Sequence, residues 1–372
     1  MIHVLCLAPY HFLPPKMGGQ KYIALFNEFF GKEVNLTCIS TKSNDAAAAK
    51  NYTVVPALSN STTRYINFFY FFTLRKIIRR NKITHLIIEH PYYGWLGILL
   101  QKFCGVTLVV QSHNIEAIRF KTIGKWWWRI LWRYEKSVHR KAGINFFITD
   151  ADKDFAIAHF SLDAARCHTI TYGTEAVAIP PAAAKAAAKK ILQQQHAIKE
   201  EEKILLFNGS LDYKPNLQAV DTILQQINPL LLANTQFKYR IIICGKGLPA
   251  AYNNLTDYSD KNIIYAGFVE DIAVYFSGAD IFINPVIEGG GIKTKLVESL
   301  SFNLTSVSTR SGALGISKND AGNKLLVVED NEWNGFAAAV MNADIATTTP
   351  PPFFDTFYWG NIAAKAIAAL SS

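Results

Sequence analysis

The sequence predicts an α/β protein built from two doubly wound domains. Two observations carry this. Short apolar, β-rich runs alternate with longer helical stretches from the first residues onward, and the alternation stops near residue 174 and starts afresh near 203. Strands and helices that alternate in this way fold as parallel sheets with helices on both faces. With 372 residues, half of them hydrophobic, the chain is long enough for two such cores.

Taken in order, strands fall near 2–8, 34–39, 84–88, 107–111 and 144–148, with helices near 18–31, 64–81, 93–103, 114–142 and 151–160. The opening Met1 to Pro9 lacks the basic start and small-residue cleavage site of a secretion signal and reads as a buried strand. Residues 174–202 run through Pro180-Pro181 into an Ala/Lys/Gln-rich segment without β character, a linker or helical spacer. Strands resume near 203–208, 238–244, 262–265, 279–284, 304–308 and 324–328. Thr347 to Pro352 reads as a stiff extended stretch that ends the second domain, and 356–371 as one short amphipathic helix. The domain boundaries are therefore 1–175, 176–202, 203–350 and 351–372.

Composition narrows the function classes. The five cysteines lack the close spacing of a zinc site and mostly sit in apolar runs, as buried free thiols of a reducing compartment do. Neither Ile66 to Leu74 nor Tyr92 to Leu100 approaches the ~20 apolar residues that cross a bilayer, so a cytoplasmic protein is expected. The formal charge of +9 admits nucleic acid, anionic lipid or phosphorylated ligands. Its placement is more informative. Basic residues follow Phe68 to Phe72 and flank Trp126 to Trp128, a pattern shared by interfacial helices at the inner face of a membrane and by core-packed helices with a solvated basic side.

In open parallel sheets ligands bind beyond the carboxyl ends of strands, and four such loops carry unusual residues. Gly18 and Gly19 follow the first strand and open a helix, where backbone can approach an anion or simply turn. His113, just past the strand at 107–111, can bond a sugar hydroxyl or be structural. Gly209 and Ser210 lead to Lys214, which precedes a helix with Pro215 at its start and can meet a phosphate there. The strongest segment runs from Asn284 to Leu300. Its Gly289, Gly290, Gly291, Ile292, Lys293 and Thr294 form a phosphate-cradling loop, with Lys295 adding charge. Glu298, in the following helix, can take two hydrogen bonds from a ribose or be an exposed helical glutamate. The run Asp150 to Asp154 lacks the glycine and terminal glutamate of a calcium loop and reads as a helix start capped by Asp150.

The order Gly18-Gly19, His113, Gly209 to Lys214, Gly245-Lys246-Gly247, Gly267 to Asp271 and Glu288 to Glu298 resembles the retaining GT-B glycosyltransferases of family 4 across nearly the whole chain. The resemblance implies two Rossmann-like domains facing each other across a cleft. It implies an acceptor site in the N-terminal domain, a donor site in the C-terminal one, and a last helix that returns to the N-terminal domain. By the same likeness Gly267, Phe268 and Val269 lie against the base and Glu298 holds the ribose. Gly18 and Gly19 belong to the donor-binding set, and Lys214, with His113 and Lys295, does the catalytic work.

Two departures stand out. Ser210 occupies the place of the family's usual arginine, which shifts the diphosphate charge onto Lys214 and Lys295. Glu288 is out of register with the family's first glutamate, whose place is taken by Gly290, although Glu288 stays among the donor-binding candidates. The implied chemistry is transfer from a nucleotide-diphosphate sugar to a glycan or lipid-linked acceptor with retention. The leaving phosphate assists the acceptor proton, so neither an enzyme nucleophile nor a metal or other cofactor is implied. The expected partners are the nucleotide sugar, the acceptor and an anionic membrane surface, and nucleic acid is not expected. The rival readings are an epimerase or phosphorylase on the same fold, and a non-catalytic basic polyanion- or membrane-binding protein.

Overall fold

The structure, a computed structural model, describes residues 2–371. The chain forms two compact units, Met1–Gly173 with Phe357–Ser372, and Thr174–Thr356.

Unit 1 carries seven strands: β1 His3–Ala8, β2 Asn35–Thr41, β3 Thr53–Leu58, β4 His85–Glu89, β5 Thr107–Ser112, β6 Ile144–Phe147 and β7 Cys167–Thr169. They form one sheet in the order β3-β2-β1-β4-β5-β6-β7, and every pairing is parallel. The helices between them are α1 Gly18–Phe30, α2 Phe69–Arg80, α3 Gly94–Cys104, α4 Glu116–Thr122, α5 Trp128–Lys141 and α6 Asp150–Phe160. Central strands such as Leu5, Leu7, Leu86, Ile88, Leu108 and Val110 are buried on a helix-covered face, which is why they read as continuous apolar runs.

Unit 2 begins with α7 Ala182–His196 and holds β8 Lys203–Asn208, α8 Lys214–Thr222, α9 Asn228–Leu232, β9 Tyr239–Cys244, β10 Ile263–Gly267, α10 Ile272–Gly278 and β11 Ile281–Asn284. It continues with α11 Thr294–Ser301, β12 Thr305–Thr309, α12 Lys318–Ala321, β13 Leu325–Val328, α13 Trp333–Met341 and α14 Pro351–Phe357. Its six-stranded parallel sheet has the order β10-β9-β8-β11-β12-β13. Both sheets are thus doubly wound, as the alternation predicts.

Five local expectations need correction. Strands β3 and β7 lie at the two edges of the first sheet and are not among the expected strands. The expected helix over 114–142 is two helices, broken where Gly124 takes the left-handed φ of +73°. The segment expected as a linker or helical spacer is helical, as α7, but it packs on α10 through the Lys189–Asp280 ion pair at 2.8 Å and belongs to unit 2 rather than standing between two domains. Pro351 and Pro352 open α14 rather than extending the chain, since the first turn has no use for their missing N–H groups. Thr149, not Asp150, caps α6: its hydroxyl accepts from Asp152 N at 3.1 Å, while Asp150 bonds Lys153 and Thr169.

The last helix, α15 Trp359–Ser371, packs on α1 within unit 1. Trp359 is fully buried there, its ring 5.6 Å from Tyr22 and 5.4 Å from Tyr172. The fit is close enough that a Cβ on Gly173 would fall 2.7 Å from the Phe357 carbonyl.

Candidate active site

Where a doubly wound sheet reverses its strand order, the two connections leave in opposite directions and open a crevice. The reversal lies between β1 and β4 in unit 1 and between β8 and β11 in unit 2. The residues singled out by sequence divide between these two places: Gly18, Gly19 and His113 belong to unit 1, and the rest to unit 2.

In unit 2 the loop after β8 leads into Lys214, the first residue of α8, and the loop after β11 carries Glu288 to Gly291. The two loops meet. Lys214 Nζ lies 3.9 Å from Glu288 Oε2, and Gln218 Nε2 donates to Glu288 Oε1 at 3.3 Å. Gly289 sits at φ +91°, where a Cβ would come within 3.1 Å of the Tyr213 hydroxyl, so both conformation and space call for glycine. Glu288 therefore faces Lys214 and Gln218.

Two lysines take positions that charge alone does not dictate. Lys293 turns back over its own loop and donates to the carbonyls of Gly289, Gly290 and Gly291 at 2.6, 3.4 and 3.1 Å. Lys295 reaches inward from α11. It donates to Asn208 O at 3.2 Å and Asn216 Oδ1 at 3.0 Å, above the Phe207 ring at 4.3 Å from its centroid. Burial, with Lys293 nearby, pushes its ammonium down to about 7. Ser210 donates its hydroxyl to Asp212 at 2.6 Å, Ile292 is buried, and Thr294 begins α11 with Glu298 one turn on.

Backbone bonds carry the same strip of loops outward. Gly209 N donates to Cys244 O at 3.0 Å, and Gly245 N to Gly267 O at 2.7 Å, so the loop of Gly267, Phe268 and Val269 lies two strands from Gly209. A Cβ on Gly245 would fall 1.9 Å from the Gly209 carbonyl oxygen, which explains glycine there. Phe268 stands exposed at the end of this strip, a surface suited to stacking a planar base. Asn208 Oδ1 and Asn284 Oδ1, at the ends of the two reversal strands, are buried without a hydrogen-bond partner. Asn284 opens the segment singled out in the sequence, but neither asparagine is among the candidate site residues, although an amide ending an apolar strand was the available signal.

In unit 1, Gly18 and Gly19 open α1 and Gly19 has free space around it, while Gln20 folds back to accept from Lys16 N and Met17 N. His113 is buried, and its Nε2 is 2.7 Å from Glu89 Oε2. Beside it the His90 ring is tilted by 36° at 4.3 Å between ring centroids, and its Nδ1 lies 3.3 Å from Glu116 Oε1 without a hydrogen bond between them. Glu116 Oε2 accepts from Tyr92 at 2.5 Å and from Arg119 at 2.6 Å. Burial alone would raise the Glu116 pKa, but His90 and Arg119 together hold it well below the carboxylate range. Glu89, His90 and Glu116 are absent from the sequence-derived candidates because nothing local marks them.

The profile of glycosyl transferases group 1 matches residues 202–343, and that of glycosyltransferase family 4 matches residues 18–176. The chain is a family 4-like glycosyltransferase of the GT-B fold. Sucrose-phosphate synthase from Thermosynechococcus elongatus is similar to it with a TM-score of 0.70 and 14% identity, covering 99% of this chain and 98% of that one. Anabaena HepE in complex with UDP and glucose is similar with a TM-score of 0.72 and 11% identity over 100% of both chains. An uncharacterized 44.6 kDa protein in the cps region of Klebsiella pneumoniae is 26% identical over 144 residues, 37% of this glycosyltransferase and 36% of that protein's length.

Proposed function

We propose that this glycosyltransferase takes its sugar from a nucleotide-diphosphate sugar and passes it, with retention, to a glycan or lipid-linked acceptor in polysaccharide assembly. The observation that carries this reading is the meeting of Lys214, the Gly289–Gly291 loop and Lys295 at the reversal of the second sheet. HepE, similar in fold, has been solved with UDP-glucose, which supports a donor of that class. In this reading the acceptor oxygen bonds the anomeric carbon on the face from which the diphosphate departs. The carbon–oxygen bond to phosphate breaks, and the acceptor proton passes to the departing phosphate oxygen. Lys214 and Lys295 meet the charge that grows on that oxygen, so neither an enzyme nucleophile nor a divalent cation is required. The test is a screen of nucleotide sugars for slow hydrolysis, followed by NMR of the released anomer. Release of the inverted anomer alone, or turnover of none of them, would overturn the reading.

An anionic membrane surface belongs to the same proposal. The only acidic residues from 46 to 149 are Glu89, Glu116 and Glu135, and all three are buried. On α2, Phe71, Leu74 and Ile78 face the core while Phe69, Phe72, Lys76 and Arg79 face outward. Phe71 also touches Phe68, Phe72 and Phe103, which joins these half-exposed rings into one patch. Apolar rings rimmed by cations, with no exposed carboxylate among them, fit an anionic lipid headgroup layer. Among the described residues no helix is long and apolar enough to cross a membrane.

A further inference from the structure

Lys295 is a cation with no opposite charge beside it. It is half-buried at the reversal of the second sheet, and among the described residues no carboxylate comes within ion-pair distance of its ammonium. The groups that face it from other elements are neutral: the Asn208 carbonyl and the Phe207 ring from β8, and the Asn216 amide from α8. Lys293, two residues earlier in its own segment, is the charged group that bears on it, and its charge is of like sign. A cation withdrawn from water is costly unless an opposite charge answers it, and here none does.

Asn216, the third residue of α8, meets this lysine with one end of its side chain and the loop after β8 with the other. Its Oδ1 accepts from Lys295 Nζ at 3.0 Å, and its Nδ2 donates to the Ser210 carbonyl at 2.9 Å. An ammonium only donates and a carbonyl only accepts, so these two partners fix which way the amide points. One side chain thus ties the start of α8, the β8 loop and the first turn of α11 together. Gly209 shows how closely it fits: a Cβ there would fall 2.7 Å from Asn216 Nδ2 and 2.8 Å from its Cγ, which would push the amide off both partners. An aspartate in this place would accept from Lys295 and neutralise it, and could not donate to Ser210. A leucine of similar size could do neither. Asparagine does both without adding charge.

We propose that Asn216 is a positioning residue of the transfer step, holding the Lys295 ammonium beside the β8 loop while leaving its charge for the departing diphosphate. When the bond from the anomeric carbon to the phosphate oxygen breaks, its electron pair stays on that oxygen. A cation already fixed by neutral partners meets this charge without first giving up an ion pair or reorganising. Asn216 acts through Lys295 and touches no reacting atom. The diphosphate as ligand rests on the glycosyl-transfer reading above, whereas the hold on Lys295 stands on the geometry alone.

The experiment compares the wild type, Asn216→Asp and Asn216→Leu as full chains labelled with 13C-lysine, the Lys295 signal being assigned by its loss in Lys295→Met. In the wild type this lysine should titrate near 7. Asn216→Asp should move the titration upward, since a carboxylate favours the ammonium, and Asn216→Leu downward, since an acceptor is lost. A general loosening of the loops would instead carry both toward the ordinary lysine value of 10.5. Kinetics with a nucleotide sugar that the wild type turns over should show kcat about 10²-fold lower in Asn216→Leu, with the donor KM changed by less than about threefold. Asn216→Asp keeps the size of the side chain and suits the first turn of a helix, so it should fold as the wild type does and lose about tenfold in turnover. A Lys295 titration that moves the same way in both variants or in neither, or an Asn216→Leu protein within about twofold of wild-type turnover, would overturn the proposal. A wild type that turns over no nucleotide sugar and binds no nucleoside diphosphate, while the two titrations still move apart, would instead strike the donor reading.

Discussion

Lys295 Nζ donates to Asn216 Oδ1 at 3.0 Å, a bond that ties the first turn of α11 to the first turn of α8 across the reversal of the second sheet. With a pKa pushed down to about 7 by burial, this lysine is only partly charged at neutral pH. The unfolded chain holds the proton up to about 10.5, so this group's contribution to stability rises as pH rises from about 7 to 10.5. A diphosphate placed nearby favours the charged form. Binding of a nucleoside diphosphate at pH above 7 should therefore take up protons, and affinity should fall as pH rises further. Calorimetry in two buffers of different ionisation enthalpy measures the uptake, and Lys295→Met should abolish it.

Glu298 lies one turn into α11, behind the glycine loop, whereas Glu288 is engaged by Lys214 and Gln218. Glu298→Gln should weaken donor binding by about 1–3 kcal/mol through lost charged hydrogen bonds to a ribose. Glu288→Gln should change it far less. Titration of both variants with the same donor decides, and equal losses would show that the loop is bound differently.

Glu135, buried on α5, accepts from Glu116 N and Ala117 N, both at 2.9 Å. It thus satisfies two donors at the start of α4 and holds Glu116 where it meets Arg119 and His90. Glu135→Ala should cost about 2–4 kcal/mol, since two buried amides lose their acceptor. Urea unfolding monitored by circular dichroism measures it.

The ring patch on α2 and α3 should carry the protein onto vesicles containing anionic lipid. Flotation should recover the wild type with such vesicles and not with neutral ones. Phe69→Asp combined with Phe72→Asp should release it without lowering the melting temperature, because both rings are more than half exposed. Equal binding by the double variant would assign the rings to another role.

Much of the fold was legible because parallel strands buried on both faces, such as Ile204 to Phe207 and Ile241 to Ile243, read as unbroken apolar runs between helical periods. What escaped detection was set by other forces. Strand β3 carries Pro56 at a sheet edge and β7 is three residues long, so neither has the apolar run of a central strand. The break between α4 and α5 hangs on one left-handed glycine. In the site, the glycine loop and Lys214 announce themselves because their residue types fit an anion at a helix start. Glu89 and His90 do not, since their meaning arises from the pairing of β4 with β5, which brings Glu89 to a histidine 24 positions away. The direction of Lys293, turned onto its own loop carbonyls, is likewise a product of loop closure that residue type does not reveal.

Lys214 begins α8 beside the glycine loop, is highly exposed, and among the described residues has a 3.9 Å contact with Glu288 as its one ion pair, so its side chain can turn toward a ligand. With Ser210 donating to Asp212 and Lys295 bonded inward, Lys214 is the cation best placed to meet charge that develops on a departing diphosphate. Steady-state kinetics of nucleotide-sugar hydrolysis by the wild type and Lys214→Ala tests the account most directly. Turnover should fall roughly 10²- to 10³-fold, by more than donor affinity falls, and Ser210→Lys in the same background should restore part of it. A Lys214→Ala protein that keeps nearly full turnover would contradict the account.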